Sequence, residues 1–128
     1  MKRILLCLMV ALFATGCLFA KNNDEKMNVM SYNIRYDNSG DKDNQWKFRR
    51  DFAADLVKFH EADVFGAQEV LNNQLNDLLD RLPEYAYVGV GREDGKTKGE
   101  YAPIFYRKDR FSVEKSGNFW LAEDINAV

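Results

Sequence analysis

The spacing of apolar and polar positions changes several times along the 128-residue chain, and each change marks an element. Residues 28–36 (NVMSYNIRY) alternate. Val29, Ser31, Asn33 and Arg35 fall on one side and Met30, Tyr32, Ile34 and Tyr36 on the other, which predicts a strand with one core face. The other face turns polar toward its C-terminal end, where open sheets tend to build sites. Residues 37–44 (DNSGDKDN) read as a loop. From Gln45 the period becomes helical: Phe48, Phe52, Leu56 and Phe59, with Ala53 and Val57, form a stripe expected to face a core. Residues 62–68 (ADVFGAQ) predict a short strand centred on Gly66 and running into Glu69. A second amphipathic helix is expected over about 71–82, with Leu71, Leu75, Leu78, Leu79 and Leu82 on one face and Pro83 as its stop. Residues 85–90 (YAYVGV) predict a strand and 91–99 (GREDGKTKG) a glycine-punctuated charged loop. Residues 101–107 and 111–118 predict two strands joined by a turn through Lys108 and Asp109, and Phe119, Trp120 and Leu121 begin something further. The order strand, helix, strand, helix, strand, strand, strand predicts a mixed α/β or α+β layered domain, with the last strand as an exposed edge. No internal repeat interrupts it.

The first 20 residues stand outside that pattern. Lys2 and Arg3 precede an unbroken apolar run over 4–13, and Ala14, Thr15 and Gly16 lead directly to Cys17. This is the three-part layout of an export signal. Small residues before a cysteine also resemble a bacterial lipobox, although Ala14 stands where leucine is more usual. The expectation is lipidation at Cys17 and attachment to the cell envelope without a spanning helix. Two alternatives stay open: plain cleavage after Ala20, and an uncleaved anchor over 4–20, at the short end of the roughly 17–25 residues a bilayer span needs. Residues 21–26 (KNNDEK) read as a tether, and 27–128 as the domain.

Composition narrows the function. Cys7 lies in the signal, so Cys17 would be the sole cysteine of the mature chain and no internal disulfide is expected. The 18 basic and 20 acidic residues give −2; without Lys2 and Arg3, 16 remain against 20, or −4. That balance argues against a protein held to nucleic acid by bulk charge. A small phosphate ester bound through a metal stays compatible.

Phosphoester hydrolysis asks for a divalent cation, an oriented water, and donors to the phosphoryl oxygens. Magnesium takes only one or two carboxylates and keeps several waters, so single polar residues at strand ends are the ones to look for. Asn33, Glu69 and Glu100 fit, each near the end of a predicted strand. Each also has a plain structural reading: a hydrogen-bonded strand amide, a charge suited to the N-terminus of the next helix, and a solvated loop acid. Arg92 either faces substrate or is solvated, and Trp120 either lines a pocket or packs.

MSYNIRYDN (Met30 to Asn38), GAQEV (Gly66 to Val70) and GEYAPIFYR (Gly99 to Arg107), in this order and spacing, resemble the successive N-terminal motifs of the endonuclease/exonuclease/phosphatase, or DNase I-like, superfamily. GVGREDGKTKGEYAPIFYRKDRF and SGNFWLAE resemble one bacterial, often exported, branch of it. The resemblance implies half of a four-layer, two-sheet α/β sandwich. It implies that Asn33 lies in the metal and phosphate site, that Glu69 ligates catalytic Mg2+ or Mn2+, and that Glu100 orients a catalytic histidine.

The family's catalytic histidine, its GDFN-like Asp and Asn, and its terminal Asp-His pair have no counterpart in these residues. The one histidine, His60, is expected at the C-terminal end of the first helix, where a cation suits the helix dipole. The expectation is a metal-dependent phosphoesterase present as its N-terminal portion, with a phosphate-ester substrate, membrane attachment through Cys17 and little turnover by this chain alone. The alternative is a non-catalytic, lipid-anchored binding module or a truncated remnant of the fold.

Overall fold

The computed structural model describes residues 26–121 and residue 123; the signal, lipobox, Cys17 and most of the tether lie outside them. Four strands and two helices follow in the order β1 (Val29–Asn33), α1 (Trp46–Phe59), β2 (Val64–Gln68), α2 (Asn72–Arg81), β3 (Tyr85–Val88) and β4 (Ile104–Arg107), with a 3-10 turn at Ser39–Asn44 before α1. They form one mixed sheet ordered β1-β2-β4-β3. β1 and β2 are parallel, as a crossover through α1 requires, and β4 pairs antiparallel with β2 and with β3.

Alternation along the strands sorts the two faces. Phe65 and Ala67 of β2, Phe105 of β4 and Tyr85 of β3 are buried in one core with Trp46, Ala53, Ala54 and Val57 of α1 and Leu75 and Leu78 of α2. Phe65 stacks on Phe105 with centroids 4.5 Å apart, and Tyr85 meets Phe65 edge-on. The opposite face shows Val29, Ser31 and Asn33 to solvent beside the exposed Ile104, and no helix among the described residues covers it. The fold is therefore the α/β half-sandwich the sequence implies.

The leucine stripe of α2 packs as expected: Leu75, Leu78 and Leu82 are buried and Leu79 is partly so. The stripe expected of α1 packs only in part: its Ala53 and Val57 are buried and Leu56 partly so, but its phenylalanines are not. Phe48, Phe52 and Phe59 are 61%, 69% and 80% exposed, while Trp46, Ala53, Ala54 and Val57 face inward. Polar contacts with α2 set the rotation. Trp46 donates from Nε1 to Asp77 at 2.7 Å, Arg50 pairs with the same carboxylate, and Asp51 pairs with Arg81. Turning the phenylalanines inward would break all three. The strand expected over 111–118 is also absent: residues 112–119 are exposed and unpaired in the sheet. Both sides of β4 are already taken by β2 and β3, so the next segment finds no ladder beside it.

Candidate functional site

The parallel register of β1 and β2 builds the centre of the site. Asn33 ends β1 opposite Gln68, which ends β2, and the next residue is Glu69. Asn33 donates from Nδ2 to Glu69 Oε1 at 2.8 Å, and its Oδ1 accepts from the backbone N–H of Arg35 at 2.9 Å. A carboxylate on one side and an N–H on the other leave the Asn33 amide one orientation. Glu69 Oε2 accepts from the backbone N–H of Tyr36 at 3.2 Å. These bonds, the Asn33 amide first and the Tyr36 N–H second, hold the Glu69 carboxyl below its usual range, and the nearby Arg35 charge adds to them.

The geometry is held under backbone strain. Arg35 and Glu69 both adopt left-handed conformations, with φ 60° and 59°, which cost a non-glycine residue about 1–3 kcal/mol each. Three side chains brace the first of these, at Ile34 and Arg35. Arg49 of α1 donates to the carbonyls of Ile34 and Arg35, Gln74 of α2 donates to the Arg35 carbonyl at 2.9 Å, and Asp41 pairs with the Arg35 guanidinium.

The other sequence-selected residues lie across a cleft. An isolated bridge between Val70 and Tyr101 ties the segment after Glu69 to the segment after Glu100. In the glycine loop, a Cβ on Gly91 would stand 2.3 Å from the Lys98 carbonyl oxygen, so only glycine permits the tight return. That return brings Arg92 back over Glu100, with an ion pair at 3.4 Å, and Trp120 donates to the Arg92 carbonyl at 2.9 Å. Glu69, Gln68, Arg92, Glu100, Asn118 and Trp120 line a common cleft of about 480 Å³. His60 caps the far end of α1, away from this cleft. Among the described residues, no three His, Cys, Asp or Glu side chains converge on one point. Sequence reasoning missed Arg35, Arg49 and Gln74; Gln74 holds the third helical position where a capping box would place it, but Leu71 at the cap is no Ser or Thr, so no sequence signature marks it.

No protein-family model matches the chain. A solved endonuclease/exonuclease/phosphatase from Bacteroides vulgatus superposes with a TM-score of 0.75 at 55% identity, over 77% of this chain and 38% of that one. Over that span the chain has the fold of the endonuclease/exonuclease/phosphatase proteins and matches a portion of them. Two solved Bacteroides thetaiotaomicron proteins are each 44% identical with a TM-score of 0.75 over 77% of this chain: a member of the same endonuclease/exonuclease/phosphatase family, 37% of which is covered, and a mannosyl-6-phosphatase, 38% of which is covered. An uncharacterized protein of Acanthamoeba polyphaga mimivirus is 26% identical over 83% of this chain and 18% of its own length. The chain thus spans little more than a third of the solved endonuclease/exonuclease/phosphatase relatives.

Proposed function

We propose that the whole protein is a metal-dependent phosphoesterase whose substrate is a phosphorylated sugar. The observation that carries the reading is Glu69, a carboxylate kept ionised by neutral donors at the C-terminal mouth of two parallel strands and facing a cleft. Its donor set suits a hard, water-rich cation: one carboxylate with neighbouring amides, rather than the dense cage of a zinc site. Glu69 would hold Mg2+ or Mn2+, with Asn33 beside it. Such a cation lowers the cost of charge on phosphoryl oxygens and on an attacking water.

The chain's own residues supply the rest of the reading. Asn33 and the Tyr36 N–H fix the direction of the Glu69 carboxylate. Arg92, steadied by Glu100, offers a guanidinium to phosphoryl or hydroxyl oxygens. Gln68 and Asn118 add planar amides, and Trp120 gives the cleft an aromatic wall. Planar polar groups beside an aromatic face suit a sugar ring better than a duplex, and the acidic balance of 18 basic to 20 acidic residues agrees. The 44% identity to a mannosyl-6-phosphatase supports the same class. The one histidine of the sequence, His60, lies at the far end of α1, away from these groups, and the 128-residue chain alone is expected to turn over little. Lipid attachment at Cys17 is part of the proposal, and loss of fatty-acid labelling in Cys17→Ser is its check.

The test pairs binding with turnover. Mn2+ titrated into the purified chain and followed by electron paramagnetic resonance should bind, and Glu69→Gln should abolish it. The intact protein should release phosphate from mannose 6-phosphate in an EDTA-sensitive reaction and leave double-stranded DNA uncut. DNA cleavage without phosphate release would sink the sugar assignment.

A further inference from the structure

Gln74 is fully buried, and all of its polar atoms are spent on main chain from two other places in the fold. Its Oε1 accepts from the N–H of Asp37 at 3.0 Å and of Leu71 at 3.1 Å, and its Nε2 donates to the Arg35 carbonyl at 2.9 Å. The bond to Leu71 is the ordinary service of a third-position glutamine to its own helix. The other two are not local: they reach from the first turn of α2 to both ends of the tripeptide 35–37 that leaves β1. The middle of that tripeptide is Tyr36, whose N–H meets Glu69, and its first residue is Arg35, whose N–H meets Asn33. Arg49 grips the same Arg35 carbonyl from α1 at 3.2 Å. The strained left-handed Arg35 is thus held by one side chain from each helix.

We propose that Gln74, with Arg49 as its partner, is a positioning residue. It holds the Arg35–Asp37 main chain so that two successive N–H groups stay aimed at the Asn33–Glu69 pair. Its importance to metal affinity rests on the function proposed above; the clamp itself does not. A buried glutamine with both polar ends engaged is costly to disturb, because removing it orphans the Asp37 and Leu71 N–H groups and leaves the Arg35 carbonyl to Arg49 alone. Without it, Arg35 relaxes from φ 60° and the Tyr36 N–H swings away from Glu69.

The experiment uses two readouts on the purified chain. Hydrogen exchange of the Tyr36 amide, followed by NMR, reports the clamp without any metal. Gln74→Met keeps the side-chain length and removes the polar head; Arg49→Met does the same at a partly exposed position that threatens folding less. Leu75→Ala, the next residue on α2, controls for general loosening. Expected is at least tenfold faster Tyr36 exchange in the Gln74 and Arg49 variants, with little change in Leu75→Ala, and at least tenfold weaker Mn2+ binding in the same two. Unchanged Tyr36 exchange in both, or an equal rise in Leu75→Ala, overturns the clamp. Absence of Glu69-dependent Mn2+ binding in the unmodified chain overturns the proposed function instead, and the clamp is then judged on Tyr36 alone.

Discussion

Two acids bracket the same strand: Asp63 stands directly before β2 and Glu69 directly after it. Both carboxyls titrate below their usual range, and for both the leading cause is a hydrogen bond from an N–H group, the Asn28 backbone for Asp63 and the Asn33 side chain for Glu69. Their surroundings then diverge. Asp63 is 2% exposed, with one oxygen on the Asn28 N–H at 2.8 Å and the other on the Arg110 guanidinium. Its charge is neutralised inside the fold. Glu69 is partly exposed, its direct partners are neutral, and the nearby cation Arg35 is already paired with Asp41. A cavity of about 680 Å³, larger than the cleft at Glu69, opens beside Asp63 and is lined by Arg107 and Arg110, which pair with Asp109 and Asp63. Depressed titration and a sizeable hollow are therefore common to both ends. What separates them is whether the fold has already answered the charge.

Exchanging the effects of the two acids is the sharpest way to break that contrast. In the intact protein, Glu69→Gln should lower kcat/KM for a sugar phosphate by about a thousandfold or more, with only a small change in melting temperature. Comparable activity in that variant would remove Glu69 from the chemistry. Asp63→Ala should do the reverse. It strands a partly buried guanidinium and the Asn28 N–H, costing about 2–3 kcal/mol in urea unfolding, while Mn2+ affinity holds within about threefold.

A smaller effect appears with acid. The Asp63 carboxyl titrates lower in the folded chain than its ordinary 3.8, so its stabilisation is complete above that value and is lost as pH falls through the lower folded one. Melting temperature should drop from about pH 5 toward pH 2, and Asp63→Asn should flatten part of that slope; an unchanged slope would mean that other carboxylates carry it. Least of all should be felt at the exposed helix face, where Phe52→Ser is expected within about 0.5 kcal/mol. A loss above about 2 kcal/mol there would return that stripe to a core.

That last prediction marks where the sequence misleads. α2 was legible because its large apolar residues lie on one side only. α1 carries two competing stripes, and size pointed to the wrong one: small alanines let the helix sit close to its neighbours, while Trp46, Arg50 and Asp51 lock its rotation through partners on α2 that no local period reveals. The strand expected over 111–118 failed for a similar reason, since its pattern is suitable but no free edge of β4 remains. At the site, Asn33, Glu69, Glu100 and Arg92 were visible because strand ends and motifs mark them. Gln74 and Arg49 were not, since what they hold is main chain 39 and 14 residues away from each. The left-handed backbone at Arg35 and Glu69, neither of them glycine or asparagine, gives no warning in the sequence at all.

The parallel register of β1 and β2 has a consequence for how this chain can change over time. Asn33 meets Glu69 because both strands run five residues from paired starts at Val29 and Val64 to paired ends at Asn33 and Gln68. The two strands act as a matched pair of rulers. Losing or gaining one residue in either would turn its last side chain to the opposite face of the sheet and separate the amide from the acid. Substitutions can accumulate along these strands, but changes of length cannot, and indels should be confined to the connections between them.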